Sequence, residues 1–200
     1  APRIDSILHP GCRTFRRLRS VPLLRFAYYA KLSAADRRTY DASDAIDRLD
    51  LPPGFADGAA VDAIASALAG DDRGGCERAC QRLTDALTRG YAVPPVRVKV
   101  LAKRPSNDYG ELHGLYEPAD RAVPATVSVW MRTAQRRQVV AFRSFLRTLV
   151  HEIGHHLDYE HFRLAETFHT EGFYKRESTL ANALIALMAS PPPPSRAAKP

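Results

Sequence analysis

Apolar and polar positions divide the chain into a helical first third, a middle of short alternating segments and two helices at the end. Across residues 22–70 the apolar positions recur at helical spacing. Ser33-Ala34-Ala35-Asp36 reads as a helix start with Ser33 as N-cap, and Leu51-Pro52-Pro53-Gly54 stops that helix. Residues 61–69 form a second, Ala-rich helix. Residues 77–89 are amphipathic, with Cys80, Leu83 and Leu87 on one side and Gly90 closing the helix. The period then changes. Val96-Arg97-Val98-Lys99-Val100 alternates apolar and charged, the pattern of a half-buried strand. Residues 111–116 and 126–131 are two further strands, each after a turn-rich stretch. A long helix is predicted over 135–161 and a last one over 170–189, ended by the prolines at 191–194.

This order of helices, about three strands, a long helix and a final helix predicts an α+β fold. Residues 1–20 read as a flexible basic arm, 21–71 as a helical N-terminal extension, 72–190 as the main domain and 191–200 as a disordered tail. There are no internal repeats. At 200 residues and 45% hydrophobic content the chain can build a core, which excludes wholesale disorder. No apolar run approaches the roughly eighteen residues of a membrane span.

The cysteines are Cys12, Cys76 and Cys80, an odd number. The four-residue step between the last two does not match the paired cysteines of a zinc knuckle, so reduced thiols in a cytoplasmic protein are expected. Residues 1–8 lack the basic-then-apolar order of a signal peptide. Net charge is +7. One arginine cluster holds Arg13, Arg16, Arg17, Arg19 and Arg25, and another holds Arg132, Arg136, Arg137, Arg143 and Arg147. Such clusters are usually solvated faces, but they suit a polyanion, so nucleic acid is a possible partner.

Chemistry concentrates in Thr148-Leu149-Val150-His151-Glu152-Ile153-Gly154-His155-His156-Leu157-Asp158. Positions four apart on a helix lie one turn apart on the same side. His151 and His155 therefore offer two imidazoles to one ion, with Glu152 beside them to hold a water. Phe142, Leu146, Leu149, Ile153 and Leu157 fall in one apolar arc, and the histidine pair lies opposite its centre. Arg147 and Asp158 share the metal side, where Asp158 is placed to orient an imidazole. A hydrolytic zinc site takes three protein ligands and leaves one position open. The third must come from downstream. His156 points toward the core arc, and His161 lies too far along the helix. His169 is favoured, with Glu177 the main alternative and Glu166 and Glu171 also available.

The motif at 151–155, His169 thirteen intervening residues later, and Phe173-Tyr174 just after it together resemble the SprT-like, WLM and YgjP-like metallopeptidases. The resemblance covers residues 73–190 approximately, and it implies that 72–190 is a compact zincin-like metallopeptidase domain. It also implies that His151, His155 and His169 bind zinc and that Glu152 is the catalytic base. The chain departs from the pattern in lacking a cysteine zinc ribbon and in placing Thr170-Glu171 before Gly172. The ImmA/IrrE-like zincins, which also begin His-Glu-Ile-Gly-His, take a later glutamate near an Ala-Asn pair, here Glu177 before Ala181-Asn182.

The expected function is zinc-dependent hydrolysis of peptide bonds by a zinc-bound water with Glu152 as general base. The alternative is a catalytically weak, zinc-binding regulatory or nucleic-acid-associated protein. A peptide substrate is expected to add as a strand along the sheet edge, formed by residues 126–131 or else by 111–116. Trp130 and Tyr116 are expected to serve packing.

Overall fold

The computed structural model describes residues 26–107 and 110–189. The proposed basic arm over 1–20, the arginines up to Arg25, Cys12 and the tail over 191–200 lie outside the described residues. A single 3₁₀ turn, Ala27–Lys31, precedes α1 (Ala34–Asp44), α2 (Gly58–Ala69) and α3 (Arg73–Gly90). The strands are β1 (Arg97–Lys103), β2 (Ser106–Asn107), β3 (Gly110–Glu111), β4 (Gly114–Glu117) and β5 (Thr126–Arg132). Two helices close the described chain, α4 (Phe142–Glu160) and α5 (Glu171–Ala186). The fold is α+β, as the element order predicts. Among the described residues no helix is long and apolar enough to cross a membrane.

Local chemistry sets most of these boundaries. Ser33 caps α1, its hydroxyl accepting from the Asp36 N–H at 3.1 Å. Asp57, Asp72 and Thr170 do the same for α2, α3 and α5. α2 and α3 start earlier than expected, at Gly58 and Arg73, and two other boundaries differ by more. α1 ends at Asp44 rather than near Leu51, because the Ser43 and Ile46 carbonyls accept hydrogen bonds from Arg176. α4 starts at Phe142 rather than at 135. The intervening residues turn back on β5, with Thr133 N–H donating to Gln138 O and Val140 N–H to Met131 O, and Arg137 adopts φ 52°.

The main sheet has three strands in the order β1-β5-β4. β1 runs parallel to β5, and β4 antiparallel, pairing Gly114 with Val129 and Glu117 with Thr126. The expectation that 126–131 is the edge strand is therefore corrected. Thr126 to Met131 are all buried, which suits only a central strand. The 111–116 segment splits into the end of the β2–β3 hairpin and β4, and β4 is the sheet edge beside α4.

α3 lies against β1, while α4 packs on β4 and β5. One hydrophobic cluster joins Val61, Ile64 and Leu68 of α2 to Leu83 and Leu87 of α3 and to Val127 and Val129 of β5. It extends to Leu146, Leu149, Ile153 and Leu157 of α4 and to Leu180 and Leu184 of α5. Each fully buried leucine contributes about 1.5–3 kcal/mol, so the face of α4 opposite the histidines is held firmly. Cys76 and Cys80 are buried free thiols in the same core. Burial, then the neighbouring Cys76, pushes the Cys80 thiol well up, which keeps it inert.

Candidate metal centre

α4 carries His151, Glu152 and His155 toward an open cleft of about 610 Å³. The loop before α5 brings His169 to the same place. Its Nε2 lies 3.0 Å from His151 Nε2 and 3.2 Å from His155 Nε2. The three histidines are close enough together to hold one metal ion. Beneath them sits Phe173, 2% exposed, with its ring centroid 4.8 Å from His155 and 5.0 Å from His151. Tyr174 stacks on His169 at 5.8 Å. Gly154 leaves space for Phe173, since a Cβ there would sit 3.2 Å from the ring edge.

The outer nitrogens of two of the rings fix what the inner ones present. Glu177 Oε2 lies 2.9 Å from His151 Nδ1. A carboxylate only accepts, so Nδ1 carries the proton and Nε2 a lone pair. Thr167 donates its hydroxyl to Asp158 at 2.8 Å and so accepts from His155 Nδ1 at 2.8 Å. His155 Nε2 therefore also presents a lone pair. Two lone pairs and the Nε2 of His169 converge on one point, where His169 either donates its Nε2–H to one of the other rings or, with its proton on Nδ1, presents a third lone pair to a cation. Protonation is opposed. Burial, then His151 and His169, lowers the His155 pKa to about 3, and burial, then His151, lowers that of His169. The donor set thus fits a divalent metal that prefers imidazole, zinc among them.

Glu177 supports His151 and is not one of the converging three. Glu166 accepts from the Tyr159 hydroxyl and the Thr167 N–H, and Glu171 pairs with Lys175 at 2.7 Å. His156 is buried in the wall. Its Nε2 donates to Pro94 O at 2.9 Å and its Nδ1 accepts from Tyr116 at 3.1 Å, which ties the edge strand β4 to α4. His161 packs on Tyr91 at the end of α4. Trp130 is buried in β5, whereas Tyr116 both packs and lines the cleft. Arg147 lines the cleft as expected.

Glu152 lies 6% exposed against Gly114 of β4. A Cβ at Gly114 would fall 2.2 Å from Glu152 Oε1, so only glycine admits the carboxylate here. Burial raises its pKa to about 7; His151 and the Tyr116 backbone pull against that, and Glu177 pushes with it.

Three supports escaped the sequence reading. Thr167 relays Asp158 to His155. Arg176, 3% exposed, donates to Asp158 at 2.7 Å and to the Ser43 and Ile46 carbonyls. Asp44 accepts from the Gly172 N–H at 2.9 Å, where the backbones touch so closely that a Cβ would lie 2.4 Å from Asp44 O. One signal was readable: Arg176 sits among Phe173, Leu180 and Leu184 on the apolar side of α5, where a charge needs a partner. Comparison with protein-family models, curated proteins and solved structures gives no match to this chain.

Proposed function

We propose that the chain is a zinc-dependent metallopeptidase of the zincin type, akin to the SprT-like, WLM and YgjP-like enzymes, with His151, His155 and His169 as ligands and Glu152 as general base. The observation that carries this reading is the convergence of three imidazole Nε2 atoms beside a buried carboxylate in one cleft. Zinc held there would supply a Lewis acid that acidifies a water and polarises a carbonyl. Glu152, buried against β4 beside the histidines, takes the proton from the attacking water and delivers it to the leaving amine. A structural metal site needs a closed ligand set and no base, and Glu152 favours the catalytic alternative.

The substrate is an extended peptide. β4 has β5 on one side and the cleft on the other, so its free edge is the place for an added strand. Tyr116, anchored by His156, and Gly114, pressed on Glu152, hold that edge at a fixed distance from the base.

The test is zinc per chain by elemental analysis for the parent, His169→Ala and Glu177→Ala, followed by digestion of a peptide mixture read by mass spectrometry. One zinc in the parent, lost in His169→Ala and kept in Glu177→Ala, together with cleavage absent in Glu152→Gln, is the expected result. Parent-like cleavage by Glu152→Gln would sink the catalytic assignment.

A further inference from the structure

The three converging histidines are not supported alike. His151 and His155 are each held at the outer ring nitrogen, by Glu177 at 2.9 Å and by Thr167 at 2.8 Å. His169 Nδ1 has no hydrogen-bond partner among the described residues. His169 is also exposed, and it lies on the loop between α4 and α5. A metal-binding imidazole is ordinarily oriented through its second nitrogen, so this one needs another hold.

That hold comes from the start of the described chain. The Tyr28 hydroxyl donates to the His169 carbonyl at 2.8 Å, across 141 positions of sequence. Tyr28 belongs to the 3₁₀ turn Ala27–Lys31, none of whose residues is buried, so hydrophobic burial does not explain where the turn sits. Polar and aromatic contacts place it instead. Arg37 of α1 donates to the Ala30 carbonyl at 2.6 Å, and the Phe26 N–H donates to the Tyr40 hydroxyl at 3.3 Å. The Tyr28 ring meets the buried ring of Tyr40 edge-on, with centroids 5.9 Å apart. Tyr40 in turn lies 6.0 Å from Phe168, the residue before His169. The His169 ring stacks on Tyr174, and Phe26 meets Tyr174 edge-on at 6.0 Å. The turn and α1 therefore clasp residues 168–169 through backbone and rings together.

We propose that Tyr28 is a positioning residue of the metal centre, fixing the third ligand through its backbone where the other two are fixed through their rings. The proposal rests on the reading of the three histidines as zinc ligands. A hydroxyl anchored on α1 holds the His169 carbonyl, and with it the direction of the Cα–Cβ bond, so that Nε2 returns to one point beside His151 and His155. The N-terminal turn is in this way part of the site.

Tyr28→Phe keeps the ring and removes the donor. Tyr29→Phe is the control, since it deletes a hydroxyl of the same turn that donates to Asp41 at 3.0 Å and not to His169. Zinc affinity of the full chain is read by competition with a chromophoric chelator. Tyr28→Phe is expected to bind zinc at least about threefold more weakly, the effect of one ordinary hydrogen bond, and Tyr29→Phe as the parent does. Saturation with Co2+ in place of zinc then gives visible bands that report the geometry of the ligands. Those bands should change in Tyr28→Phe, where His169 is no longer held, and stay parental in Tyr29→Phe. A smaller loss of affinity, an equal loss in the control, or parental bands in Tyr28→Phe would each overturn the positioning role. All three outcomes leave a parent that binds zinc and so spare the metallopeptidase reading, whereas a parent that takes up no zinc removes both.

Discussion

Arg176 and Asp158 form an ion pair closed off from solvent, Nη2 to Oδ1 at 2.7 Å, with side chains 3% and 0% exposed. The pair joins α5 to α4, and the second arm of the guanidinium reaches the Ser43 carbonyl in the last turn of α1 and the Ile46 carbonyl just past it. Asp158 spends its other oxygen on Thr167, whose hydroxyl holds His155. The first helix and the candidate metal ligand are thus linked by one chain of hydrogen bonds. Breaking a buried pair from one side leaves an uncompensated charge.

Arg176→Ala is therefore expected to cost about 3–5 kcal/mol in urea denaturation of the zinc-free protein. A loss below about 1 kcal/mol, the range of exposed pairs, would mean that water reaches Asp158.

Thr167→Val keeps the shape and removes the relay. Zinc affinity, measured by competition with a chromophoric chelator, should fall about 10–100-fold while saturation still reaches one ion per chain. Unchanged affinity would show that His155 needs no support at Nδ1.

Gly114→Ala drives a methyl into the Glu152 side chain, 2.7 Å from its Cγ as well as against the carboxylate, so the side chain must change rotamer and carry the carboxylate aside. Peptide cleavage should drop at least about tenfold through loss of general-base catalysis, with zinc content and melting temperature near parental. Parental cleavage would show that the base tolerates displacement.

Two of the perturbed groups, Glu152 and His155, give opposite pH dependences in the zinc-free protein. Glu152 is raised from 4.5 to about 7, so the fold favours its protonated form. That contribution is complete below about pH 4.5 and is lost as the pH rises through 7. Glu152→Gln should then exceed the parent in stability at pH 8 by roughly 1–3 kcal/mol, and by progressively less toward pH 4.5. His155, lowered from 6.5 to about 3, contributes stability above pH 6.5 that is lost as the pH falls toward 3. Denaturant titrations of the parent, Glu152→Gln and His155→Gln across this range read the two effects. A Glu152→Gln difference that does not vary with pH would place the parental carboxyl in water.

Local periodicity alone determined that His151, Glu152 and His155 share one side of a helix whose other side is apolar, since 3.6 residues per turn needs no partner to act. The caps at Ser33 and Thr170 and the alternation of β1 belong to the same short range. The place of β5 in the sheet required knowing that β1 and β4 both pair with it, and nothing within seven residues encodes that. The late start of α4 depended on Val140 finding Met131. The choice between His169 and Glu177 turned on how α5 is rotated about its axis. Phe173, Leu180 and the Arg176–Asp158 pair set that rotation, bringing His169 Nε2 to the other two rings and leaving Glu177 behind His151. Spacing along a helix is covalent geometry and can be read one residue at a time; the meeting of residues far apart in the chain is decided by the packing of the whole core.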